Sequence, residues 1–467
     1  MRRSPLRFLA CAAAASLVPL AACGSDSGGG GGGAAADAEC PLGAIDEAAG
    51  GPVEITFWHS MPRANEEALQ RLTDAFNASQ DDVVVSLVNQ VTYKDTFDKY
   101  RSGLASGQLP DLVQLEDTTL QQVIDTQSVL PAQACIDADD YDLTDFLPAV
   151  VDYWTVDGTM WPMPWNVSSP VLYYEKGTFG AAGLDPEDPP ATLDEVREYS
   201  QQIVDSGAAP AAFGLKIYPW LFEQYLAKSG EEYVNNGNGR DSRATAVAFD
   251  DDAGQEYFAW SADMVDAGLA VTNPAEGPSE FDNLLGIRNR RNAMTVDTSA
   301  ALGTIQQVIA SGEAEGLDLG VAPMPGPDGG GVSVGGAGLY IVNESSPAKQ
   351  EAAWRFTQFL NEPDNIAQWA ADTGYLPTRL SSPDNPIIQE LWSTDPEYKV
   401  AYDQLLGGEQ SAAASGPVIG DAQGVRDAVV AAQDAMFAEG ADPADALAGA
   451  KRAADTAMTE YNDRLGV

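Results

Sequence analysis

The stretch Pro164–Glu195, "PWNVSSPVLYYEKGTFGAAGLDPEDPPATLDE", decides the fold. Pro170–Glu175 reads as a strand, because β-branched and aromatic side chains suit a pleated, half-buried surface. "DPEDPP" is a turn-rich break. Thr192 with Glu195 forms a capping box, in which hydroxyl and carboxylate satisfy free N–H groups at a helix start. That helix is expected to reach about Asp205 and to stop before Gly207. The stretch therefore leaves one α/β unit and begins another, with Ser168 and Ser169 at the crossing.

The unit upstream has a clear rhythm. Val53–Phe57 reads as a strand, and Arg63–Ser79 as an amphipathic helix with Ala68, Leu69, Leu72, Ala75 and Phe76 on one face. Val83–Val88 is a β-branched strand, Tyr93–Leu104 a second helix, and Pro110–Glu116 a third strand. This β-α-β-α-β order predicts an α/β fold with a parallel sheet. Ligands of such sheets sit beyond the carboxyl ends of the strands, where Trp58, His59, Ser60 and Glu116 lie.

A chain of 467 residues suits two or three domains. Its net charge of −45 repels nucleic acid and anionic membranes, so neither is an expected partner. An anionic ligand would need its own local arginine or helix N-terminus.

The N-terminus begins Met1-Arg2-Arg3, continues as a largely apolar run from Phe8 to Leu20, and reaches Leu20-Ala21-Ala22-Cys23. This reads as a signal peptide over 1–22 with a lipoprotein cleavage site, leaving Cys23 first and lipidated. Two acyl signals anchor stably, since each buried methylene contributes about 0.8 kcal/mol. The glycine-rich segment 23–52 reads as a flexible tether. Export leaves Cys40 and Cys135 as an even pair in an oxidising compartment, either a disulfide or two buried thiols. Two cysteines and a single histidine cannot build a structural zinc centre.

Enzyme motifs are weak. Gly331–Gly335 fits G-x-S-x-G, but the hydrolases that use it place a histidine after the serine, and the only histidine is His59. "GGAGLYIV" also continues as a strand instead of the required helix. A carbohydrate hydrolase would need a carboxylate pair across a cleft, and nothing singles one out among 70 acids.

The segments "FWHSM" (57–61), "NVSSPVLYYEK" (166–176), "AAGLDPEDPPAT", "NAMTVDTS" (292–299), "GGAGLYIV" (335–342) and "TGYLP" (373–377) follow in this order. The pattern resembles the lipoprotein or periplasmic solute-binding subunits of ABC importers, in their glycerol-3-phosphate and glycerophosphodiester-binding branch. The resemblance implies a two-lobed, type II periplasmic-binding-protein-like fold with the ligand cleft between the lobes. The first lobe would be 53–167 with 320–362, and the second 168–319 with 363–467. It also implies a non-enzymatic monomer without cofactor or metal. Such a protein is lipid-anchored on the extracytoplasmic face and delivers its ligand to the transmembrane subunits of an ABC permease.

By the same resemblance, Tyr93 and Glu116 would bind ligand from the first lobe, Ser168 from the hinge, and Gly336 through its backbone. Trp220, Thr298, Tyr375 and Arg426 would contribute from the second lobe, with Arg426 as the phosphate partner because its planar fork suits phosphate bidentately. Two departures from the branch, Ile217 where a second tryptophan can stand and Thr298 in place of a serine, keep neutral oligosaccharides open as alternative ligands.

Overall fold

The computed structural model describes residues 38–48, 50–274, 281–327 and 330–467. The expected signal peptide, the Cys23 lipidation site and the first part of the tether lie outside them.

Along the chain run β1 (Val53–His59), β2 (Val83–Asn89), β3 (Leu112–Glu116) and β4 (Val129–Leu130). A small hairpin of β5 (Thr155–Val156) and β6 (Thr159–Met160) precedes β7 (Met163–Ser168) and β8 (Pro170–Glu175). Then come β9 (Phe213–Ile217), β10 (Ala270–Pro274), β11 (Met294–Thr298), β12 (Leu319–Pro323) and β13 (Gly335–Val342). They form two main sheets. The first has the order β2-β1-β3-β13-β4, with β7 also on β13. The second has the order β10-β9-β11-β8-β12.

Local sequence explains these elements. In the Arg63–Ser79 helix, Ala68, Leu69, Leu72, Thr73 and Phe76 are buried against the first sheet's core. Each large apolar side chain so buried contributes about 1.5–3 kcal/mol as an upper estimate. Thr192 and Glu195 form both halves of the capping box, and the Leu193–Ser206 helix ends on Gly207 at φ 74°. β1 pairs parallel with β2 and β3, but β13 returns from far along the chain and inserts antiparallel beside β3. The first sheet is therefore mixed, because the strand that completes it comes from a distant segment.

The crossing is one residue long. β7 ends at Ser168 in the first sheet and β8 begins at Pro170 in the second. Ser169 between them is fully buried, donates its N–H to Ser299 Oγ at 3.2 Å, and accepts from the Ser299 N–H at 2.8 Å. Gln404 Nε2 donates to Ser169 Oγ at 2.9 Å and to the Pro170 carbonyl at 2.7 Å. The N–H, carbonyl and hydroxyl of Ser169 are thus all used, so this residue tolerates burial. The chain crosses back between β12 and β13.

Two expected boundaries differ from the structure. β12 lies in the second sheet, paired antiparallel with β8, so a first-lobe segment starting at 320 cuts through a second-sheet strand. The Pro363–Thr373 helix sends Ile366 and Trp369 into the first core, although 363–467 was expected with the second lobe. The Ala422–Glu439 and Pro443–Leu465 helices do belong to the second core.

Cys40 and Cys135 are joined by a disulfide that ties the N-terminal segment to the Ala132–Ala138 helix across 95 residues. Closing a loop of that length in the unfolded chain is worth roughly 4–5 kcal/mol in the chain-entropy model. Among the described residues no helix is long and apolar enough to cross a membrane.

Candidate functional site

β13 organises the junction between the sheets. Its register sets Gly335 opposite Ser168 and Gly336 opposite Val167 on one side, and Ala337 opposite Glu116 on the other. Glu116 is the last residue of β3 and Ser168 the last of β7. Three expected ligand residues thus meet at adjacent strand ends. Thr298 ends β11 and pairs in register with Pro170, beside the crossing. Its hydroxyl accepts from the Ala300 N–H, and its carbonyl accepts from the Tyr173 hydroxyl at 2.8 Å.

Gly336 is forced by its own neighbours. Its φ is +121°, and a Cβ there would lie 1.9 Å from the Asn166 carbonyl oxygen. The close approach is to the backbone of β7, which bulges against β13 at this point. This is the physical reason for glycine, in addition to any ligand contact.

A polar relay runs through the first sheet. The Ser60 N–H donates to Gln114 Oε1 at 2.8 Å, and Gln114 Nε2 donates to Asn166 Oδ1 at 2.7 Å. Asn166 Nδ2 then donates to the Tyr93 hydroxyl at 2.8 Å, which lies 3.3 Å from the Tyr375 hydroxyl. Burial raises both tyrosine pKa values, so both hydroxyls stay neutral and free to act as donors or acceptors. The Tyr375 ring stacks on Trp369 (5.6 Å, 8°), which stacks on Trp165 of β7 (4.4 Å, 26°). Tyr375 was expected from the second lobe; this aromatic column attaches it to the first sheet.

From the opposite side Trp220, on the Pro219–Ser229 helix, lays its indole against Gly335. A Cβ at Gly335 would be 2.7 Å from the ring, and the indole Nε1–H is buried without a hydrogen-bond partner. Tyr218 packs beside it with ring centroids 5.7 Å apart.

Arg426, on the Ala422–Glu439 helix, forks onto Glu223 with Nε–Oε1 at 2.8 Å and Nη2–Oε2 at 2.7 Å. Both side chains are about nine-tenths buried. Burial pushes the Arg426 pKa down, but Glu223 outweighs it and holds the guanidinium charged. Arg426 was expected to stand ready for phosphate; here its fork is already matched by a carboxylate, which is the geometry arginine pairs with most strongly. Asp117, directly after Glu116, is buried on a short 3-10 turn that abuts this helix. Burial raises its pKa to about 7, with Arg426 lowering it and Glu116 and Glu223 raising it.

Sequence reasoning missed Asn166, Asp117, Tyr218 and Glu223. Asp117 was signalled by the acidic pair at the end of "QLED", and Glu223 by its place one helical turn from Trp220. His59 accepts from the Met61 N–H through Nδ1 at 3.2 Å, and burial lowers its pKa to about 4, so it is a neutral part of the first core's edge. Lys216 and Asp297 form a buried ion pair at 2.9 Å that also holds Asn283, which gives the aspartate of "NAMTVDTS" a structural partner. A cavity of about 20 Å³ lined by Phe213, Tyr257 and Trp260 lies within the second core and is too small for a solute.

The family described as "Bacterial extracellular solute-binding protein" matches residues 71–400. The sn-glycerol-3-phosphate-binding periplasmic protein UgpB of Brucella abortus (strain 2308) is 27% identical over 422 residues, covering 89% of this chain and 95% of its own. The UgpB of Rhizobium meliloti (strain 1021) is 27% identical over 407 residues, covering 85% and 92%. Among solved structures, the cyclic alpha-maltosyl-1,6-maltose binding protein from Arthrobacter globiformis superposes with a TM-score of 0.71 at 26% identity, covering 88% of this chain and all of that one. UgpB from Mycobacterium tuberculosis in complex with glycerophosphocholine gives 0.73 at 22% identity, covering 88% and 99%.

Proposed function

As this chain belongs to the bacterial extracellular solute-binding proteins, we propose that it captures glycerol-3-phosphate or a glycerophosphodiester between its two lobes and delivers it to an ABC permease. The observation that carries this reading is convergence. Tyr93, Glu116, Ser168, Trp220, Thr298, Gly336, Tyr375 and Arg426 are spread over more than three hundred residues of sequence. Glu116, Ser168, Thr298 and Gly336 lie at strand ends beside the Ser168–Pro170 crossing, Tyr93 and Tyr375 reach β7 through Asn166, and Trp220 and the Arg426 helix approach from the second core, which supports one shared site. In this reading Glu116 accepts from glycerol hydroxyls, Tyr93 and Tyr375 offer neutral hydroxyls, Trp220 supplies an apolar wall, and Arg426 meets the phosphate. The relatives named for sn-glycerol-3-phosphate and the neighbour holding glycerophosphocholine support the ligand class. Lobe closure transmits occupancy, as hinge motion does in two-lobed binding proteins. Cys23 is proposed to carry the lipid that holds the protein at the membrane surface.

One observation favours a second reading. Arg426 is matched by Glu223, and the junction is rich in aromatic rings, which suits stacking on a neutral sugar. The neighbour that binds a cyclic maltose derivative is consistent with it. A thermal-shift screen of glycerophosphocholine, sn-glycerol-3-phosphate and maltose separates the two, since a ligand at a hundred times its Kd stabilises by about 2.7 kcal/mol. Stabilisation by the phosphate compounds and not by maltose is expected; the reverse would replace the ligand assignment.

A further inference from the structure

The junction carries more acid than a phosphate site needs. Around the single guanidinium of Arg426 stand Glu223 in direct contact, Asp117 on the turn packed against the same helix, and Glu116 one residue before it. The hydroxyls of Tyr153, Tyr218 and Tyr340 also stand within electrostatic reach of Asp117. The guanidinium is forked onto Glu223 and acts on Asp117 as well, and among the described residues Asp117 makes no ion pair of its own, so a phosphate arriving here adds negative charge to an already acid-rich, buried cluster.

We propose that Asp117 sets the charge of the solute this junction accepts, admitting a singly charged phosphodiester together with a proton and disfavouring a doubly charged phosphate monoester. This rests on the phosphate reading above. The physical reason is the cost of placing like charges together in a desolvated space. A phosphate monoester carries about −1.5 to −2 at pH 7. A diester carries a single charge and, in glycerophosphocholine, a compensating cation. Protonating Asp117 removes one of the opposing charges. Its pKa of about 7 means the proton is available near neutrality. His59, with a pKa near 4, does not compete in that range.

The test is calorimetry on the full chain with glycerophosphocholine, which does not itself titrate between pH 6 and 8. The wild type is expected to bind about three- to tenfold more tightly at pH 6 than at pH 8, following proton linkage at one site. Near pH 8 the binding heat should depend on the buffer's ionisation enthalpy, which reports proton uptake without any variant. Asp117→Asn should bind equally at both pH values, with the wild type's pH 6 affinity. It should also gain more affinity for sn-glycerol-3-phosphate at pH 8 than for the diester. A flat wild-type profile without proton uptake, or the same slope in Asp117→Asn, overturns the proposal while leaving phosphodiester binding standing. Binding of maltose with neither phosphate compound overturns this proposal and the ligand reading together.

Discussion

Arg426 reaches the junction bound to Glu223, and that changes what its removal reports. Taking away one partner of a buried ion pair leaves the other charge stranded, at a cost of about 3–5 kcal/mol. Arg426→Ala should therefore lower the melting temperature as well as weaken a phosphate ligand, and the second effect alone is informative. The comparison that isolates it is Glu223→Gln against Glu223→Gln/Arg426→Ala. Both lack the stranded carboxylate, so the extra loss in the double variant measures the arginine's contact with ligand. For a phosphate ligand that loss should be roughly 30-fold or more, and it should shrink with added salt. For a neutral sugar it should be small and insensitive to salt. Calorimetry at two salt concentrations decides. A negligible difference on a confirmed phosphodiester removes Arg426 from the site. Sequence alone could nominate Arg426 but could not see Glu223, because a pair 203 residues apart is made by packing and not by spacing.

At the scale of elements, two neighbouring glycines separate fold from function. An alanine at Gly336 would need φ +121° and would strike the Asn166 carbonyl. Strain of this kind costs about 1–3 kcal/mol before any overlap is counted. Gly336→Ala should lower stability in urea by more than about 2 kcal/mol and disturb the Asn166–Tyr93 bond. At Gly335 the three nearest atoms an added Cβ would meet all belong to the Trp220 indole of the opposite side, at 2.7–3.0 Å. Gly335→Ala should melt near the wild type yet bind ligand more weakly, because it props Trp220 away. Equal stability losses for the two would refute this division. The elements themselves were legible. The Thr192 capping box, the Gly207 stop and the alternating β-α-β-α-β start all follow from local chemistry. β12 and Tyr375 were misplaced because nothing local says which sheet a strand joins or which aromatic column receives a ring.

For the whole molecule, anchoring and closure are the two claims to test. Cys23→Ala should either release the protein from membranes or leave its precursor uncleaved; an acylated, membrane-bound Cys23→Ala protein would show that the anchor lies elsewhere. Closure has a structural handle outside the ligand residues. Asp125, in the Leu120–Thr126 helix of the first core, receives the Arg243 fork, with Nη1 at 3.0 Å, and the Tyr461 hydroxyl at 2.8 Å. Arg243 and Tyr461 belong to segments packed on the second core, which holds Ala244, Val247, Ala454 and Met458. Close by, Arg240 donates to the carbonyls of Asp152, Tyr153 and Thr155 at the end of the Pro148–Trp154 helix, at 2.9–3.0 Å. Opening the lobes must break the Asp125 contacts if they belong to the closed state alone. The pair is partly exposed, with Arg243 at 26% and Asp125 at 9%, so about 1 kcal/mol for the ion pair and about 1 kcal/mol for the tyrosine bond is a fair value. Their loss should shift the closed-to-open ratio by roughly 30-fold. Solution scattering should then show the wild type contracting on ligand addition. Asp125→Ala should start more expanded and contract only at correspondingly higher ligand concentration. An unchanged radius of gyration in the saturated wild type argues against closure itself. A contracting wild type with an Asp125→Ala variant of equal affinity instead means that these contacts persist in both states and that the hinge turns elsewhere.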